Sequence, residues 1–179
     1  MNCKQGGLDD IDLVHPRRDP GCYHEAHEFL RPFRESYRHA LVAFDRAWEG
    51  APAQDALDLE RDVRQRLGGD GWADVVVIEP ELEAWVWSDS PHVDECLGWR
   101  DRNPDLRSWL QQQALWTEGH AKPTDPKAAV ARALRTVNLP RSSAIYGNLA
   151  RRVSVERCAD ASFARVRARL GEWFPQEAT

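Results

Sequence analysis

Apolar and polar residues follow two different rhythms along this chain. Three short segments, IDLVH at 11–15, ALVAFD at 40–45 and VVVIE at 75–79, are nearly continuous apolar runs with β-branched content, the pattern of buried strands. Runs without strict alternation suit a sheet covered on both faces, as parallel sheets are. Between them the spacing is helical. Ala26, Phe29, Leu30, Phe33 and Tyr37 share a face, with Pro32 placed to kink or split the segment. Ala56, Leu59, Val63 and Leu67 form a cleaner stripe. Asp55 and Asp58 stand early in it and Arg64 and Arg66 late, as the helix dipole favours. Gly68 and Gly69 then end it. The order strand, helix, strand, helix, strand predicts a βαβαβ unit with right-handed crossovers.

Beyond Glu79 the strand rhythm stops. Ser90 before Pro91, Asn103 before Pro104 and Asp125 before Pro126 each pair an N-cap residue with proline at the first helical position. These pairs predict helices at 91–97, 104–114 and 126–138. Two more are expected at 142–152 and 160–174, the last with Phe163, Val166, Leu170, Trp173 and Phe174 as its stripe. The expected class is α/β: a short parallel sheet with flanking helices over 1–100, then an all-helical C-terminal region over 101–179.

Composition narrows the class further. With 179 residues, 42% hydrophobic and 30% charged, the chain can bury one good core, with or without a helical extension, and is not of disordered type. No apolar stretch approaches the length of a membrane span, and MNCKQGGLDD lacks a signal-peptide core. Cys3, Cys22, Cys96 and Cys158 show no CxxC spacing, which fits reduced thiols in a cytoplasmic protein. The net charge of −5 conceals an asymmetry: residues 122–179 carry +6 and the remainder −11. Either a partner meets only one of these parts, or the arginines simply solvate helix faces. For nucleic acid the candidate contacts are Arg151, Arg152, Arg165 and Arg169, the last two being one turn apart and off the apolar stripe.

Candidate chemistry collects where the strands end. Ligands bind open parallel sheets at the carboxyl ends of the strands, and here those ends carry His15, Asp45 and Glu79. Asp45 and Glu79, joined by Glu81 or Glu83, would offer the hard oxygens that Mg²⁺ takes. Such an ion could clamp a phosphodiester and stabilise the charge developing during its cleavage. Arg17, Arg18 and Arg46 lie beside the same strand ends and could hold phosphate oxygens. The blander reading makes the carboxylates a strand exit followed by an acidic first helical turn. His24 and Glu28 in HEAHE are four apart but match neither HExxH nor HxxEH. No GxxxxGK[ST], GxGxxG or GxSxG occurs. The eight tryptophans fall mainly at apolar positions of helical patterns, as core residues do.

The segments ALVAFD, EPELEAW, KPTDPK and RCADASF occur in an order that resembles the small Toprim-like proteins of bacterial defence loci. HPRRDPGCYHEAHEFLRPF, FDRAWEG and EPELEAWVWSDSPHVDECLGW look closer still to the fourth-component family of the methylation-associated defence system, a bacterial anti-phage system. The resemblance runs from about His15 to Pro175. It implies a Toprim/Rossmann-like core and membership of a multi-protein operon that includes a DNA methyltransferase. It also implies a Mg²⁺- or Mn²⁺-dependent phosphodiesterase or nuclease acting on DNA or RNA, with Asp45, Glu79 and Glu83 catalytic and Asp45, Glu79 and Glu81 holding the metal. Toprim enzymes carry a glutamate after the first strand and an Asp-x-Asp after a later one. Asp45 matches the first aspartate of that pair, the second position is Ala47, and no glutamate-bearing strand precedes IDLVH. The alternative is a non-enzymatic assembly or adaptor subunit contacting other proteins of the same operon.

Overall fold

The computed structural model describes residues 11–13 and 18–175. Among them the chain is mixed α/β, with seven α-helices and one two-stranded parallel sheet. In chain order the elements are α1 (Arg18–Leu30), β1 (Ala40–Asp45), α2 (Ala56–Arg66), β2 (Ala73–Ile78), α3 (Pro91–Cys96), α4 (Leu106–Gln112), α5 (Pro126–Thr136), α6 (Ser143–Arg152) and α7 (Ala161–Trp173). No helix among the described residues is long and apolar enough to cross a membrane. The chain divides into two compact units, one made of Met1–Val77 and Arg165–Thr179, the other of Ile78–Ala164.

The first unit is built on β1, α2 and β2, a parallel pair with a helical crossover. Asp55 caps α2, its carboxylate accepting from the Asp58 amide at 2.8 Å. The stripe read from spacing is the buried face: Ala56, Leu59, Val63 and Leu67 all lie in the core. Every residue of β2 is buried, as its unbroken apolar run requires. Each fully buried Val or Leu side chain contributes about 1.5–3 kcal/mol of transfer free energy. Val75, Val77, Val42, Phe44 and Tyr23 complete this core. Pro32 splits the first helical segment as expected: α1 stops at Leu30 and a 3₁₀ turn, Arg31–Phe33, follows.

The third strand is a correction. Ile11 to Leu13 have no strand structure, and Ile11 and Leu13 are 54% and 83% exposed. Asp12 interrupts the apolar run, leaving too little apolar surface to bury. The rest of that segment, Val14 and His15, lies outside the described residues, as does Arg17.

The regular elements of the second unit are all helical apart from its first residue, Ile78, which closes β2. Ser90 and Asp125 cap α3 and α5, each with proline at the first turn. The third cap was misplaced by the sequence pattern. Asp105, not Asn103, caps α4, because its carboxylate reaches the Ser108 amide at 2.9 Å. The core of this unit gathers Trp87, Trp99, Trp116, Leu97, Leu106 and Leu110 with Val130 and Leu134 of α5. The buried indoles are satisfied: Trp87 donates to the Pro126 carbonyl and Trp99 to that of Pro104, each at 3.1 Å.

Candidate functional site

The acidic segment after β2 folds into a 3₁₀ turn, Leu82–Trp85, which draws Glu81 and Glu83 inward. Glu83 is 2% exposed and Glu81 9%. A buried carboxylate needs partners, since its desolvation is otherwise unmet. Lys127, in the first turn of α5, forms an ion pair with Glu81. Arg141 and Tyr146 both bond one oxygen of Glu83, the Tyr146 hydroxyl donating at 2.8 Å. Arg141 Nε in turn donates to Tyr146 Oη at 2.9 Å. Burial, then the bond to Glu83, pushes the Tyr146 phenol up to about 12. The Glu81 carboxylate raises the Lys127 ammonium above its ordinary value. Chemically this is a set of paired donors and acceptors that ties the turn to α5 and α6. Trp85 adds a further tie, its indole donating to Ser162 Oγ at 2.8 Å while its ring meets Phe163 edge-on.

Asp45 ends β1 in the first unit, where its amide donates to Asp19 Oδ1 at 2.9 Å. Glu79 is exposed and belongs to the other unit. Arg18 opens α1 with a positive φ of 61°. Arg46 is turned onto its own loop, donating to the carbonyls of Pro52 at 2.8 Å and Gln54 at 2.6 Å. His24 and Glu28 are exposed on α1.

Arg165 and Arg169 come together, but on carboxylates. Arg165 donates to Glu60 Oε1 at 2.7 Å, and the same oxygen accepts from the Val77 amide at 2.9 Å. Arg169 pairs with Asp74, whose other oxygen takes Arg64 Nε at 2.8 Å. Burial alone would raise the Asp74 carboxyl. The Val75 amide, Arg64 and Arg169 outweigh it and hold the group below its ordinary value. In the second unit, Arg100, Arg152 and His92 surround Glu95 and lower it to about 2, Arg100 contributing most. Arg151 stays exposed, 3.4 Å from Asn148 Oδ1.

Sequence spacing missed the partners Lys127, Arg141 and Tyr146, and it missed Glu60 and Asp74. Glu60 carried a signal: it adjoins Leu59 on the α2 stripe, so a carboxylate there enters the core. Asp74 carried the same one, standing at the head of the apolar run of β2.

The Glu81 and Glu83 carboxylates do not fit a divalent cation. Glu81 and Glu83 already face an ammonium and a guanidinium, which a metal would have to displace and which would repel it. Among the described residues no three His, Cys, Asp or Glu side chains form a group able to hold an ion. No family model, curated protein or solved structure matches the chain.

Proposed function

We propose that this chain is a non-catalytic assembly or adaptor subunit of a bacterial anti-phage defence system of the methylation-associated kind. On this reading it has a Toprim-like α/β core, works in the cytoplasm and binds other proteins of its operon. The order of the ALVAFD, EPELEAW, KPTDPK and RCADASF segments supports the family. One observation favours the adaptor over the nuclease. The E-x-E carboxylates that a metal-dependent phosphodiesterase would keep open are committed to Lys127, Arg141 and Tyr146. Their partners hold the turn in place and set two cationic groups, Lys127 and Arg141, where an ion would have to approach.

The test is phage protection in a host carrying the whole operon, with this chain as wild type, Asp45→Asn, Glu79→Gln, or deleted. Deletion is expected to abolish protection and both substitutions to preserve it, with the subunit still co-purifying with its operon partners. Loss of protection with Asp45→Asn, in a protein that still folds and still co-purifies, would overturn the adaptor reading in favour of metal-dependent cleavage.

A further inference from the structure

The first unit holds a cleft of about 160 Å³ lined by His27, Arg31, Arg34, Arg66, Trp72 and the Leu67–Gly68 turn. Four of these side chains are basic, and no acidic side chain lines the cleft. Two of the arginines are braced by carboxylates outside the lining. Arg34 pairs with Asp70 and lies 5.3 Å from the centre of the Trp72 ring. Arg66 pairs with Asp62 at 3.3 Å, donates to the His24 carbonyl at 3.3 Å, and stacks over Tyr23 at 4.7 Å. Tyr23 in turn donates to Asp62 at 2.6 Å, so the brace is itself fixed. Two donors remain unused. Arg66 Nε is buried with no partner, out of reach of a ligand, so Arg66 offers the cleft fixed positive charge. The Arg31 guanidinium is exposed and has no partner among the described residues.

We infer that this cleft binds a phosphate group carried at the end of a ligand. An unpaired guanidinium beside two fixed ones suits phosphate, because its planar fork meets two oxygens at once while its neighbours add positive charge. Bracing from behind lowers the ordering cost of binding. The volume sets the class. Pockets for whole drug-sized ligands run to roughly 300–1,000 Å³, so this cleft takes a terminal group and leaves the rest of the ligand outside. Two sources share that chemistry: a nucleoside 5′-monophosphate and the 5′-phosphorylated end of an oligonucleotide. The inference stands apart from the adaptor reading, since it concerns neither the strand ends nor the Glu81 and Glu83 cluster.

Calorimetry on the full chain decides it, with inorganic phosphate, a nucleoside 5′-monophosphate, and one hexanucleotide bearing either a 5′-phosphate or a 5′-hydroxyl. The phosphate-bearing ligands are expected to bind, and the tighter of the nucleotide and the phosphorylated oligonucleotide identifies the source. Arg31→Gln, which disturbs no ion pair among the described residues, is expected to weaken binding about tenfold or more, the scale of one charge-assisted bond. Arg61→Gln, an exposed arginine outside the cleft, is expected to bind as the wild type does. Three results would overturn the inference: no binding of any phosphate-bearing ligand, equal binding by wild type and Arg31→Gln, or equal affinity for the 5′-hydroxyl oligonucleotide.

Discussion

At the scale of single residues, Glu83 shows how a burial site changes the meaning of a carboxylate. At 2% exposure its carboxylate is met by Arg141 and Tyr146, which supply the bonds that burial takes from water. The Tyr146 phenol therefore stays protonated to about 12 instead of its ordinary value of 10.0. Its folded value is the higher one, so its contribution is fully present below pH of about 10 and is lost as pH rises through about 12. Glu83→Gln removes the charge and keeps the shape. Absorbance at 295 nm is expected to show Tyr146 ionising at lower pH in that variant. An unchanged tyrosine titration would mean that Glu83 does not hold the phenol. Neither role was visible in the sequence, because the partners lie 58 and 63 residues away and leave no local spacing. Seen alone, EPELEAW offered only carboxylates, and carboxylates suggest metal.

At the scale of elements, the C-terminal half of α7 is held to the α2–β2 layer by charge pairs on two buried acids. Removing one member of a buried pair costs more than removing both, since the survivor keeps its desolvation without its partner. Arg165→Ala is therefore expected to lower stability by about 2–3 kcal/mol, less than for a wholly buried pair because Arg165 is 34% exposed. Adding Glu60→Gln to it is expected to restore part of the loss. Urea unfolding of the two single variants and the double variant measures this, and strict additivity would show that the pair is not coupled. Asp74 gives the acid side of the same layer. Its folded value is lowered, so its contribution is present above the ordinary carboxylate range and is lost as pH falls through the folded value. Elements of this layer were legible wherever the information was local. The acidic start of α2, its apolar stripe, the break at Pro32 and the buried run of β2 all follow from neighbours in sequence. Within IDLVH, Ile11–Leu13 have no strand structure, because a short apolar run becomes a strand only with a sheet partner. No tertiary partner is written into the run itself.

At the scale of the whole molecule, two separate hydrophobic cores match the two units. The second core draws only on residues between Val86 and Val153, so the sequence 78–164 is expected to fold without the rest of the chain. Expressed alone, it should give a helical circular-dichroism spectrum and one cooperative thermal transition. A non-cooperative melt would show that this core depends on the first unit. The division itself was hidden from sequence reading, because α7 is one continuous helix and its charge pairs with Glu60 and Asp74 reach back about a hundred residues. The central claim is that Glu81 and Glu83 serve as internal ion-pair anchors and not as metal ligands. Electron paramagnetic resonance of the full chain titrated with Mn²⁺ tests it most directly, since bound Mn²⁺ loses the six-line signal of the free ion. The expected result is a full free-ion signal at every addition up to protein stoichiometry. Stoichiometric loss of that signal, restored by Glu81→Gln or Glu83→Gln, would contradict it.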